Sequence, residues 1–542
     1  MTLGERWQEE VTATRERARF ASSRAAGVES TAYAECGRPA DACGAHGAGY
    51  CDESVDARGM VRPLWGALSR ALACLGHDGL GVLDSRVRRR IAADGITSPE
   101  TDTAVETATP RPWCIDPIPL MLSAADWTRL AAGLEQRSRL LDAVLTDVYG
   151  PRRTLSSGLL APEVVFGSRG YIRAAHGITV PGHNQLFIYG CDLSRWSDGR
   201  FRVFADRARI PSGIGYAAAG REVVAAAFPE LLEHVNPRPL MPFARMMRSM
   251  LIESARAADE PVVVVFSPSV CAETAFEQVY LASMLGFPLV DSADLVVSDG
   301  ALRLRSFGRS RRVDVVLRWV DAEFTDPLDL CQEARFGVPG LVDVARRGAV
   351  TVVNTLGSGL LESPALAGFL PRMSRALLGE ELLLESVPSY WGGDDRERKY
   401  LLANLDTLII RSTVDGVILS GPELSRAQRD SLKSRIDACG WQWVGREPAQ
   451  FSVAPSVRDR CGLASVPIGI QLFALAHRGG YTVMPGGLGH NAARPLQRSL
   501  PDRVMTEAAA KDIWVCSAPS AAPPSAERDQ RVIPGTAGIP PR

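Results

Sequence analysis

Lysine is almost missing from this chain. Of 61 basic residues in 542, only Lys399, Lys433 and Lys511 are lysines. Any cation in a functional site is therefore expected to be arginine, whose planar guanidinium grips carboxylates and phosphates with two parallel hydrogen bonds. Net charge is missing too. The 61 basic and 62 acidic residues leave −1, which gives no basic footprint for duplex nucleic acid or an anionic membrane. No apolar run approaches the roughly 20 residues a membrane-crossing helix needs. The opening MTLGERWQEEVTATRERARF places charges where a secretory leader needs an apolar core, so a cytoplasmic location is expected. Cysteine is sparse and odd in number, at 11, which excludes a disulfide scaffold. Cys36, Cys43 and Cys51 lie near His46 but lack the tight pairing of a zinc site.

Apolar residues, at 46 %, are abundant enough for substantial cores, and 542 residues suggest about three domains. The clearest helix follows Ser123 and Asp126, a capping pattern. Trp127, Leu130, Leu134, Leu141, Val144, Leu145 and Val148 then recur at helical spacing until Gly150-Pro151. Residues 64–76 suit a short amphipathic helix, and Gly95 to Pro112 reads as a polar connection. Val262–Phe266 (strand), Glu273–Leu285 (helix) and strands at Leu295–Val297, Leu302–Leu304 and Val313–Leu317 suggest an α/β layer around a buried sheet. Val350–Val353 is a buried strand, followed by the loop Gly357-Ser-Gly359. Ser363-Pro364 then opens a helix ending near Gly379. Strand, Gly-rich loop and helix start form a phosphate-friendly order, although such connections abound in α/β proteins. Further strands are expected at Leu408–Arg411, Ile468–Ala474 and Tyr481–Met484, with a polar helix over Leu424–Ala438.

Residues 185–221 carry the most chemistry. Gln185–Tyr189 and Arg200–Phe204 read as strands around the turn Ser197-Asp198-Gly199. Asp192 and Asp206 leave those strands, so the hairpin is expected to bring two hard oxygen ligands together, as Mg²⁺ accepts. Pro211-Ser212-Gly213 makes a loop whose backbone can approach a ligand, and Arg221 follows as a phosphate or carboxylate fork. The plainer alternative is a hairpin with two solvated turn acids and a structural arginine.

With this hairpin, several other blocks resemble the circularly permuted ATP-grasp family, type 2. They are Gly133-Leu-Glu-Gln-Arg137 to Asp147-Val-Tyr-Gly150, Val315-Val-Leu-Arg-Trp-Val-Asp321 with Phe324-Thr-Asp-Pro327, Gly337-Val-Pro-Gly340, and Asn354 to Pro364. Leu401-Leu-Ala-Asn-Leu-Asp406 with Leu408-Ile-Ile-Arg411, and Val483-Met-Pro-Gly-Gly-Leu488, complete the series. The blocks span roughly residues 50–490. The resemblance implies an α/β fold of α+β layers, in which two subdomains clasp ATP after a preceding helical and α/β region. The corresponding division is 1–48 a poorly ordered extension, 49–160 mainly helical, 161–260 hairpin-bearing, 261–400 an α/β layer, 401–515 the C-terminal ATP-grasp subdomain, and 516–542 a disordered tail.

The resemblance also implies an ATP- and Mg²⁺-dependent ligase that joins a carboxylate to an amine through an acyl phosphate, on a small-molecule or peptide substrate. A helical companion protein is implied as a partner, and neither nucleic acid nor membrane. Asp192, Asp206 and Glu362 would face the metal. Arg411, Ser212, Gly213, Gly357, Gly359 and Asn354 would hold the nucleotide, and Arg221 and Arg318 would serve the reaction. Some positions depart from the family pattern. Its Tyr-Ala-Leu-Glu-Asn-Arg reads Tyr216-Ala-Ala-Ala-Gly-Arg221 here, a sister group's Glu-Asp-Asn reads Ala205-Asp206-Arg207, and of Pro-Gly-Pro-x-Asn-Glu only Glu273 stands in its second half. A catalytically degenerate relative that acts as a nucleotide- or partner-binding scaffold is therefore the alternative.

Overall fold

The computed structural model describes residues 51–98, 111–180, 184–255, 259–268, 275–306, 308–458, 462–491 and 509–516. The expected extension over 1–48, Glu273 and the tail beyond Cys516 lie outside them.

Gly76 (φ 62°, ψ −171°) breaks α1 (Gly66–Ala93) into two helical stretches, and the first ends where the short helix predicted over 64–76 does. Strand β1 (Ile115–Leu122) is buried along its whole length. Helix α2 (Ala124–Val148) starts where the capping pattern puts it, with the Ser123 hydroxyl accepting from Asp126 N at 3.0 Å. Its apolar stripe, from Trp127 to Val148, joins the main core. The hairpin is β2 (Ile188–Arg195) and β3 (Phe201–Arg207), followed by α3 (Ile214–Ala227). Strand β4 (Val263–Phe266), helix α4 (Ala275–Leu285), β5 (Val315–Arg318) and β6 (Thr351–Val353) form the α/β layer. Then come β7 (Ile409–Ser412), α5 (Arg426–Ala438), β8 (Trp443–Arg446), the 16-residue β9 (Gly462–His477), β10 (Leu488–Asn491) and β11 (Ala510–Val515).

Three sheets position the site. The eight-stranded sheet has the order β1-β11-β10-β9-β2-β3, and Ser452–Arg458 and Gly480–Val483 also pair with β9. A four-stranded parallel sheet runs β6-β5-β4 and then Leu289–Val290. Its strands are Val-rich and buried on both faces, as such sheets require. A four-stranded antiparallel sheet has Ser389–Trp391, β8, β7 and Ile418–Ser420 in that order. Its small core joins Leu401, Leu405, Ile410, Leu432, Ile436 and Trp443. Topology therefore divides residues 401–515: the strands up to Arg446 build the small sheet, whereas β9, β10 and β11 return to the large one.

One local expectation fails. Residues Leu356–Glu362 form a 3₁₀ turn rather than an open loop, and the following α-helix begins at Leu370, after a second short 3₁₀ turn, rather than at Pro364. The reason is packing: a Cβ on Gly357 would lie 2.3 Å from the Tyr149 ring, and one on Gly170 would lie 2.2 Å from the Gly359 carbonyl oxygen. Gly357 lets backbone press against Tyr149 at the end of α2, and Gly170 lets its turn press against the Gly359 carbonyl.

Candidate active site in an arginine-lined cleft

Strand register decides which groups meet. Asp192 on β2 lies opposite Gln471 on β9, and Arg207 on β3 opposite Gly190. Gln471 in turn lies opposite Leu488, and Gly469 opposite His490, on β10. With a side-chain period of two, Asp192, Arg207, Gln471 and His490 share one face of the large sheet. The same alternation sends Asp206 to the other face. There its carboxylate accepts from Arg137 Nε and Nη2, each at 2.7 Å, and from the Tyr189 hydroxyl at 2.6 Å. The hairpin thus separates the two carboxylates that the sequence expected it to join.

The small sheet covers this face. Arg411 lies opposite Val444 and Arg446 opposite Ile409, so both arginines project from the same side. Arg446 Nη1 donates to the Phe204 carbonyl of β3, which ties the two sheets together. A third group stands at the carboxyl edge of the parallel sheet, where α/β layers commonly collect ligands. Arg318 Nη1 donates to Val320 O at 2.6 Å, and Arg209 approaches Asp321 at 3.6 Å and Glu362 at 3.8 Å. Five arginines, Arg207, Arg209, Arg318, Arg411 and Arg446, therefore meet three carboxylates, Asp192, Asp321 and Glu362.

The electrostatics follow from that surplus. Burial, then the neighbouring Arg207, lowers Arg411 to about 10. Burial, then Arg411 and Arg207, lowers Arg446 to about 9. Arg318 falls to about 10, chiefly through burial. His490 falls to about 4 through burial, with Asp192 opposing and Arg207 adding to the shift. The Arg411 guanidinium makes no hydrogen bond or ion pair among the described residues. Arg446 Nε, Arg318 Nε, His490 Nε2 and Asp192 Oδ1 are buried without a partner. Buried polar atoms are normally paired, so the vacant Nε donors of Arg446 and Arg318 mark a place for an acceptor-rich anion, whereas Asp192 Oδ1 is a vacant acceptor.

Of the residues the sequence nominated, Asp192, Glu362, Arg318 and Arg411 converge here. The others are held by the fold. Asn354 accepts from Phe187 N and Ile188 N through Oδ1 and donates to Ile188 O and Ala208 O through Nδ2. All of its side-chain atoms serve backbone. Arg221 binds Asp512 at 2.6 Å and the carbonyls of Arg238 and Ile513, pinning α3 to β11. The helix start at Ser212-Gly213 is filled by Glu277 of α4, which accepts from the Ser212 hydroxyl and from Gly213 N and Gly215 N. A protein carboxylate occupies the anion position that a phosphate was expected to take. Glu362 also has partners, since its Oε1 accepts from Ala208 N and Arg209 N at 2.8 and 2.7 Å.

Sequence reasoning missed Arg207, Arg209, Arg446 and His490 as site residues. The signal for Arg207 was available: alternation along β3 opposes it to Asp206 and aligns it with Asp192. Arg446 had none, because Trp443-Val-Gly-Arg446 is too short a run to announce a strand.

A large, mostly antiparallel sheet and a small antiparallel sheet closing on an anion-accepting cleft, beside the carboxyl edge of a parallel sheet, form an ATP-grasp type of fold. Residues 119–492 match the family described as circularly permuted ATP-grasp type 2, and the chain belongs to that family. An uncharacterized protein of Mycobacterium tuberculosis (strain ATCC 25618 / H37Rv) is 54 % identical over 478 residues, covering 86 % of this chain and 53 % of the relative. A Frankia alni protein, provisionally named a glutamate–cysteine ligase, is 35 % identical over 423 residues, covering 76 % of this chain and 48 % of the relative. The chain thus spans about half the length of these relatives. A glutathione synthetase-like effector of Globodera pallida, in its apo form, superposes with a TM-score of 0.53 at 11 % identity, covering 80 % of this chain and 96 % of the effector. That likeness is one of fold alone.

Polyphosphate suits this donor set, because it presents many acceptor oxygens to guanidinium groups in excess of the carboxylates around them. A protein-held Mg²⁺ does not. Among the described residues no three His, Cys, Asp or Glu side chains gather to hold a metal. Asp206 stands on the far face of the sheet, and Asp192 and Glu362 already hold Arg207 and backbone amides. Also among the described residues, no helix is long and apolar enough to cross a membrane.

Proposed function

We propose that this chain is an ATP-dependent ligase that joins a carboxylate to an amine on a small-molecule or peptide substrate, in the cytoplasm. The observation that carries the reading is the Arg411 guanidinium, which has no hydrogen bond among the described residues, beside the unpaired Nε atoms of Arg446 and Arg318. The family and the provisionally named ligase of Frankia alni support the reaction class. ATP supplies the phosphoryl group that turns the carboxylate into an acyl phosphate, from which the amine displaces phosphate. Arg411 and Arg446 then have the role of binding phosphate oxygens and offsetting charge that develops during transfer. Arg318 and Arg209, at the parallel sheet's edge, have the role of orienting the substrate carboxylate. The small sheet covers the cleft and excludes water from the acyl phosphate.

The test is phosphate release by the full chain over a panel of amino acids and polyamines. Release is expected only when a carboxylate and an amine are both present. Arg411→Ala should lower kcat/KM by about 100-fold or more, the usual loss of one charge-stabilising donor. A second reading, a nucleotide-binding scaffold that works beside a helical companion protein, is favoured by Asn354 and Arg221 serving the fold. ATP binding with no turnover across the panel would replace the ligase reading with this one.

A further inference from the structure

Arg207 and Asp192 form a tight pair at the centre of the cleft. Arg207 Nε and Nη2 both donate to Asp192 Oδ2, at 2.9 and 2.7 Å. Asp192 is 2 % exposed, and its other oxygen is buried without a partner. Mg²⁺ demands an octahedral shell of oxygens at about 2.0–2.1 Å, so an ion ligated by Asp192 would have to sit against this guanidinium or push it aside. Of the other carboxylates, Asp321 faces Arg209 at 3.6 Å. Glu362 presents one oxygen to two backbone amides and the other to Arg209 Nε at 3.8 Å. Asp206 is on the opposite face, engaged by Arg137 and Tyr189. The positive charge opposite Asp192 is therefore supplied by the chain itself. Arg411 and Arg446 add two further guanidinium groups on the covering sheet, close enough to Arg207 for mutual repulsion.

We propose that Arg207 stands where a protein-held divalent cation would otherwise sit, and that Arg207, Arg411 and Arg446 bind a polyphosphate chain without needing a metal. The inference rests on the nucleotide-binding part of the proposed function. A polyphosphate offers each guanidinium a planar pair of oxygens, the geometry in which arginine binds most strongly. Neutralising the anion also relieves the repulsion among the three arginines.

Calorimetry on the full chain tests it, with ATP and inorganic tripolyphosphate as probes, each in EDTA and in excess Mg²⁺. ATP affinity in EDTA is expected within about threefold of that in Mg²⁺. Arg446→Ala should weaken binding about tenfold or more in both buffers. Arg207→Asn, which releases Asp192, should acquire metal dependence and bind ATP more tightly with Mg²⁺ than without. Wild-type binding that appears only with Mg²⁺ overturns the inference and leaves the ligase reading intact. Tripolyphosphate bound and ATP refused overturns the nucleotide reading and keeps the arginine site, whereas no binding of either probe to the folded chain overturns both. The wild-type comparison decides the matter even where Arg207→Asn fails to fold.

Discussion

His490 lies beside Asp192 and Arg207, half-buried with its Nε2 enclosed, and is held neutral down to about pH 4. In the unfolded chain it titrates near its ordinary 6.5. As pH falls from about 6.5 to about 4, the unfolded chain takes up this proton first. Stability is therefore expected to be full above the window and to decline through it. His490→Gln should flatten that slope in urea unfolding curves collected at several pH values. At this scale the sequence was legible for residue type and less so for direction. Arginine as the site cation follows from the lack of lysine, and Asp192, Glu362, Arg318 and Arg411 all reach the cleft. Asp206 was misplaced because a strand end was treated as a turn, whereas β3 continues through Arg207 and alternation turns its neighbour away.

Arg137 makes one clamp out of three elements. Fully enclosed in α2, it holds Asp206 of β3, the Leu384 carbonyl at 3.1 Å and the Ser386 hydroxyl at 2.9 Å. Ser386 also bridges to Val203, so the segment leading to the small sheet is fastened to the hairpin at the same point. Arg137→Ala leaves a nearly buried carboxylate unpaired and should cost about 3–5 kcal/mol, read from the midpoint of urea unfolding. The double variant with Asp206→Ala should recover part of that loss, because no buried charge then remains. Among elements, α2 was legible from its cap and spacing, with Ser123 capping it, and α5 as a polar helix, whose capping box of Ser425 and Gln428 the structure adds. The Gly357–Gly359 region was misread because Gly357 answers to the Tyr149 ring, a neighbour that no local pattern reveals.

The large sheet is assembled from distant parts of the chain. Strand β11 lies between β1 and β10, parallel to the first and antiparallel to the second. Among the described residues it is the only sheet partner of β1. It also carries Asp512 and Ile513, which receive Arg221, and the buried Lys511, which pairs with Asp116 at 3.1 Å. A truncation after residue 508 should therefore lose the cooperative unfolding transition of the whole domain, as seen by circular dichroism, rather than trimming an edge. The α/β class and the family's layering were legible from ordered blocks, but β11 was not. Its six residues follow a stretch without pattern, and their pairing spans almost the entire sequence. Ile115 emerges from a ribosome 395 residues before its partner Ala510. At about 5–20 residues per second, β1 waits roughly 20–80 s with a mostly apolar edge unpaired. During that interval this strand is a natural client for a chaperone that shields nascent chains.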